Sequence, residues 1–244
     1  MSALAHYLED EGLPTVAISL IRLHTEKIGS PRALWVPFEL GRPIGAPRDG
    51  SFQRRVITSA LRLLETATRS GTIEDFPDDD PTAVDLPGWQ PPFALPAGIA
   101  DGGHDQDSLQ REIDAIAPYY ERFMAASRRS TVGLSGLAIG DCVRFLTGFI
   151  AGTPLPDVPP QTSAVQALRW VVDDLKAYYF EAMSADGLSP ASRQMQSWFW
   201  DRTRAAQAII AVRRQLLASD DKRAQAIGRM NMVPGAQVLR LGLG

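Results

Sequence analysis

Residues 12 to 47 read GLPTVAISLIRLHTEKIGSPRALWVPFELGRPIGAP, two short apolar runs on either side of a polar turn. The first run, Thr15 to Leu20, contains the β-branched residues Thr15, Val16 and Ile18 and is introduced by Gly12 and Pro14, the punctuation of a buried strand. Ala33 to Phe38 reads the same way. Between them Arg22, His24, Thr25, Glu26 and Lys27 form a polar loop that Gly29 and Pro31 close. A polar loop just past a buried strand is where α/β folds place ligand contacts. The second run leads into ELGRPIGAP, whose alternating Gly and Pro fix an irregular backbone. Ser51 to Arg69 then turns helical, with Phe52, Val56, Ala60, Leu63, Leu64 and Ala67 on one face and Asp49 or Ser51 as N-cap.

The rest of the chain is organised differently. Composition changes at Gly71: from there to Asp107 the chain holds Pro77, Pro81, Pro87, Pro91, Pro92 and Pro96 and an acidic run at Asp78, Asp79 and Asp80. This stretch reads as a linker or wrapping arm, and Trp89, Phe93 and Leu95 within it call for docking on a neighbouring surface. Beyond it the spacing predicts helices: one capped by Asp107 or Ser108 with Leu109, Ile113 and Ile116 on a stripe, a second from about Asp141 to Gly152, and a third capped by Thr162 or Ser163. A fourth begins with Ser189 as N-cap and Pro190 at its first position and runs to about Ser219, where Asp220 caps a last short helix. No strand is expected after residue 71. The expected fold class is α+β and predominantly helical: an α/β fragment (residues 1–70, two strands plus a helix), the arm (71–107) and a helical bundle (108–244).

Composition narrows the functional classes. With 244 residues, 45% hydrophobic and 22% charged, the chain has the make-up of a folded, water-exposed protein of one large or two small domains. A formal net charge of −3 gives no chain-wide attraction to nucleic acid or anionic membrane, so neither is an expected partner. The longest apolar stretch, Val132 to Gly152, is interrupted by Asp141 and Arg144, as a core helix would be. Cys142 is the only cysteine, which leaves no intrachain disulfide and no cysteine-based metal cluster. The opening MSALAHYLEDEG lacks the basic-then-apolar pattern of a signal peptide, so the expected location is cytoplasmic.

The opening segment resembles the C-terminal part of the B-component proteins of the glycine, sarcosine, betaine and D-proline reductase family. The matching residues are Gly12, Leu13, Pro14 and Val16, then Pro37, Leu40, Gly41 and Pro43, then Arg54, Arg55 and the helix up to Leu64. The resemblance covers about residues 12–64. It implies reductive cleavage of a carbon to heteroatom bond: a selenolate or thiolate attacks the substrate carbon and displaces the amine, after a carbonyl group elsewhere in the complex has activated it. That nucleophile is a low-pKa cysteine or selenocysteine with a resolving partner. This chain departs from the pattern, because it has no C-x-x-C and its one cysteine lies outside the similar segment. Two strands also cannot complete a parallel sheet, which is normally buried on both faces. A second subunit carrying cysteine or selenocysteine accounts for both gaps.

Several residues are candidates for the site. His24, Thr25 and Glu26 follow the first strand, Glu26 as a catalytic group and the other two as substrate contacts; alternatively they are the solvated start of a connecting helix with Thr25 as cap. Glu39 and Arg42 flank Gly41 in the second loop, where Arg42 can clamp a carboxylate or pair with Glu39 to pin the loop. Cys142, behind Gly140 and Asp141 at a helix N-terminus, is either a thiol activated by the helix dipole or a small buried hydrophobe. Trp198 to Trp200 and Tyr178 with Tyr179 read as core, and His6 and His104 have no ligand-spaced partners. No metal site and no particular cofactor is indicated. The leading expectation is a subunit of a reductase-like complex acting on a small amino-acid-like substrate, the alternatives being a non-catalytic adaptor and a stand-alone enzyme using Cys142.

Overall fold

The computed structural model describes residues 2–39, 41–96, 105–158, 162–187 and 190–244. Leu40, His104 and Ser189, each named above, lie outside the described residues. The fold is predominantly helical α+β with one small parallel sheet. Residues 1–85 and 86–244 form two compact units. The acidic, proline-rich stretch is shared between them.

In the first unit the order is α1 (Ser2–Asp10), β1 (Ala17–Ser19), α2 (Arg22–Ile28), β2 (Arg32–Trp35), α3 (Gly50–Thr66) and β3 (Thr72–Asp75). The strands are parallel in the order β1-β2-β3, with Ala17 opposite Ala33 and Ala33 opposite Ile73. This register puts Ile18, Leu34 and Val36 on one face, where α3 covers them with Phe52, Val56, Ala60 and Leu63. Phe38, Phe52 and Phe76 close that core with ring centroids 5.5 to 5.9 Å apart. Asp49 is the cap of α3, accepting from Phe52 N–H at 3.0 Å. The loop before it needs a glycine at 45, because φ there is +85° and a Cβ would sit 2.6 Å from the Phe52 ring.

Two expectations are corrected here. The polar loop from Arg22 is the helix α2, too short at 7 residues to show a periodicity, and Gly29 ends it in the left-handed conformation. The chain also supplies a third strand, β3, from the stretch read as an arm. TIED is four residues long and runs into FPDDDP, so only its pairing with β2 makes it a strand. α2 lies on the sheet face opposite α3: Thr25 Oγ1 is hydrogen-bonded to Ser19 Oγ, and Arg22 Nε donates to Asp75 Oδ1 at 3.0 Å. Each face of the sheet therefore carries one helix from this chain. α1 is tied to the start of β2 by the Glu9–Arg32 ion pair, and hydrogen bonds from Arg32 and Thr15 hold the Glu9 carboxyl below its ordinary value.

The second unit is a helical bundle: α4 (Gln106–Ser127), α5 (Ile139–Ala151), α6 (Ala164–Met183), α7 (Ser192–Arg202), α8 (Arg204–Ala218), α9 (Lys222–Met230) and α10 (Gly235–Arg240). Helix α6 runs through its centre, with Leu168, Val172, Leu175 and Tyr179 fully buried. Phe93 joins this core and stacks against Tyr119 and Trp198, so the end of the proline-rich stretch is docked on the bundle. Gln194 fastens it further, bonding both backbone groups of Leu86 at 2.8 to 2.9 Å.

Caps and breaks differ from expectation in detail. α4 is capped by Asp105 and α9 by Asp221; each accepts from a backbone N–H two or three residues on, and Ser163 caps α6 as read. α7 starts at Ser192, past Pro190, with Ala191 as an N-cap that makes no side-chain bond. The long fourth helix is two helices, divided at Thr203, whose Oγ1 donates to Phe199 O and accepts from Ala206 N–H at 3.1 Å. The break is held by Glu112 of α4, which accepts from Arg204 N–H at 3.0 Å.

Helices α8 and α9 pack closely at Gly228, where a Cβ would lie 2.9 Å from Leu216 Cβ. Gly228→Val is expected to cost about 1–3 kcal/mol through overpacking, read as a lower melting temperature. Melting at the wild-type temperature would show that the pair has room to separate.

Candidate functional site

The carboxyl end of β1 passes directly into α2, which runs back over the sheet and brings Arg22 and Glu26 beside β3. Arg22 is held from two sides: its guanidinium pairs with Glu26 one turn on and with Asp75 at the end of β3. These groups are roughly 40 to 50% exposed, so the pairs add little stability. Their effect is to orient Arg22 and Glu26 along one wall of a groove of ≈ 470 Å³. Thr66 at the end of α3 and Thr68 and Arg69 of the connection to β3 line it with Thr72 of the strand. Thr66 and Thr72 hydroxyls donate to backbone carbonyls of Arg62 and Arg69 at 3.0 and 2.8 Å, leaving their lone pairs toward incoming donors. The Arg69 side chain has no partner among the described residues. The groove thus carries the Arg69 guanidinium on one wall and the paired Arg22 and Glu26 on the other, groups of both charges within one polar lining.

Of the residues singled out from the sequence, Glu26 lines this groove. Thr25 is buried beneath α2, where its hydroxyl donates to Ile21 O at 3.2 Å and bonds Ser19; this fastens helix to strand. His24 is exposed on α2 and is not among the groove's lining. Glu39 and Arg42 are both exposed in the loop after β2, joined by a backbone bond from Arg42 N–H to Glu39 O at 3.0 Å. Their side chains make no bond to each other among the described residues. Arg22, Asp75 and Arg69 were not among the candidates. The Arg22–Glu26 spacing of four was a readable signal for the first; the other two depend on β3, which the sequence did not disclose.

Cys142 lies in the other unit, in the first turn of α5, and is wholly buried. Its Sγ sits 3.5 Å from Ser135 Oγ. Burial above all pushes the thiol up to about 11; the Ser135 hydrogen bond lowers it in part and the nearby Asp174 adds to the rise, against the lowering a helix N-terminus would bring. In this environment the thiolate is scarce at neutral pH. Asp174 itself is committed to structure. Its oxygens accept from Gly133, Leu134 and Ser135 N–H groups at 2.8 to 2.9 Å and from Ser135 Oγ at 2.5 Å. Two turns along α6, Glu181 takes Ser130 Oγ at 2.6 Å and both Thr131 N–H and Oγ1 at 2.7 Å. The loop between α4 and α5 is therefore clamped by two carboxylates from one helix face.

Among the described residues no three His, Cys, Asp or Glu side chains gather to hold a metal ion, and no helix is long and apolar enough to cross a membrane. Comparison with protein-family models, with curated proteins and with solved structures gives no match.

Proposed function

We propose that the chain is one subunit of a heteromeric, reductase-like enzyme that cleaves a carbon–heteroatom bond in a small amino-acid-like substrate, with the thiol or selenol on a partner subunit. The observation that supports it is a polar groove without a nucleophile: binding groups of both charges meet at the sheet, while the chain's thiol is buried in the other unit and held protonated. Arg69 takes the substrate carboxylate bidentately and Glu26 its ammonium group, with Arg22 fixing Glu26 in place. His24, Glu39 and Arg42 remain exposed for contacts completed by the partner. The partner's thiolate or selenolate attacks the carbon, forming a C–S or C–Se bond as the C–N bond breaks and the amine leaves with a proton. A second thiol then displaces the reduced product, which takes up a proton, as the partner's pair is oxidised to a disulfide or selenenylsulfide.

The reductase class rests on the resemblance over residues 12–64. It is tested by co-expressing the chain with the product of a neighbouring open reading frame that encodes a cysteine- or selenocysteine-containing α/β protein. A stable complex that releases amine at the expense of a dithiol is expected. Within that complex, Arg69→Ala and Glu26→Gln should each raise KM at least about tenfold, the loss of one charge-assisted contact, and Cys142→Ser should keep full activity. A chain that forms no complex with that protein, or whose activity disappears with Cys142→Ser, overturns the reading.

A further inference from the structure

The two edges of the sheet are built differently. The β3 strand carries Glu74 and Asp75, both exposed, and the acidic run from Asp78 follows it. Charges of this kind guard an edge against pairing with another strand. The β1 edge has no such guard: from Leu13 to Ile21 the chain reads LPTVAISLI without one charged side chain. Leu13 and Ile21, at the two ends of that run, are 56% and 40% exposed. Val16, Ile18 and Leu20 are only partly buried although they pack on the sheet's core.

The backbone of β1 is open in the same place. Val36 N–H donates to the Ser19 carbonyl at 2.9 Å, so Ser19 turns its backbone groups toward β2. By the alternation along a strand, the N–H and C=O of Ile18 turn outward, where no further strand pairs among the described residues. The open stretch has a defined start. Pro14, in the outward-facing set with Val16 and Ile18, has no N–H to offer.

We infer that β1 pairs with β1 of a second copy of this chain, antiparallel across a two-fold axis near Ile18, so that two three-stranded sheets become one. A two-fold axis reverses strand direction, and an antiparallel pair within an otherwise parallel sheet is common in mixed sheets. The charge pattern selects a second copy over a different protein. An edge reserved for another chain needs a feature that repels its own copy. With the axis at Ile18, residues Thr15 to Ile21 meet only uncharged groups of the copy, whereas the β3 edge would set Glu74 and Asp75 against their own copies. The pairing is independent of the substrate reading of the groove, and the chain alone tests it.

Sedimentation equilibrium of the purified full chain is expected to show a dimer. Leu13→Lys/Ile21→Lys should raise its dissociation constant at least about tenfold with an unchanged far-UV circular dichroism spectrum. Met230→Lys/Leu239→Lys, at exposed apolar positions of the helical unit, should leave the dimer as it is. A monomer at every concentration, or a dimer equally tight in the Leu13/Ile21 lysine variant, overturns the inference. Hydrogen exchange decides it even where that variant fails to fold. The Ile18 amide of the wild type should be protected in concentrated solution and lose protection on dilution, and an equal rate at both concentrations refutes the pairing.

Discussion

Asp174→Ala is expected to be among the most destabilising single substitutions in this protein, at about 1–3 kcal/mol for each of the two donors of buried Ser135 left unpaired, a large part of the 5–15 kcal/mol that holds a typical domain folded. The side chain is fully buried and accepts four hydrogen bonds from the loop between α4 and α5, three of them from backbone N–H groups. Its removal leaves Ser135, itself buried, without an acceptor, and opens the loop over the α5 N-terminus. Asp174→Asn recovers only part of the loss, because the amide presents one acceptor oxygen and sets its NH2 against backbone donors. Urea unfolding of both variants reads the effect as a lower midpoint at constant slope. A shift below about 1 kcal/mol for the alanine variant would show that water replaces the carboxylate and that the clamp is dispensable.

Glu112 sets the second large effect and gives it a pH dependence. Burial raises its carboxyl above the ordinary value, while hydrogen bonds from Tyr179 Oη–H and from the N–H groups at the start of α8 pull it back only in part. Burial, and then the Glu112 carboxylate, in turn raise Tyr179 well above the usual tyrosine range. Because the folded state holds this proton more tightly than the unfolded state, the contribution of Glu112 to stability is full below the unfolded value of 4.5 and is lost as pH rises through the folded one. Glu9, Asp49 and Asp105 are shifted downward and act in the opposite sense, losing stability as pH falls. The difference in unfolding free energy between wild type and Glu112→Gln cancels those groups. That difference is expected to decline as pH rises from 4.5, and a difference independent of pH would refute the raised value. Glu112→Ala removes the acceptor for the buried Tyr179 hydroxyl and the Arg204 N–H, at about 1–3 kcal/mol for each group left unpaired.

Both effects arise from polar residues inside the bundle, which is where the sequence was least readable. Asp174 and Glu181 sit seven residues apart on a helix whose apolar stripe was plain, yet nothing local says that they face a loop rather than water. Glu112 is likewise surrounded by the Leu109, Ile113 and Ile116 stripe, and its role at the start of α8 depends on a contact across 92 residues. At the sheet, Glu26 was a candidate from its position past a strand, and the groove does include it. Arg69 reaches the groove, and Asp75 reaches Arg22, only because β3 folds back beside β2. The Cys142 thiol was placed correctly at a helix N-terminus, but its titration follows burial and Asp174.

The sequence by itself determined what repeats over a few residues: the runs that become β1 and β2, the Asp49 cap and apolar face of α3, the stripes of α4 and α6, and the aromatic core. These depend on side-chain periodicity and on groups within one turn of each other, so the local chain carries them. The tertiary structure alone decided that TIED is a strand, that one long helix breaks at Thr203, which charges meet in the groove, and that the only thiol is silenced. Each of these is a balance between desolvation and a partner brought from far along the chain, and such a partner exists only once the chain has folded.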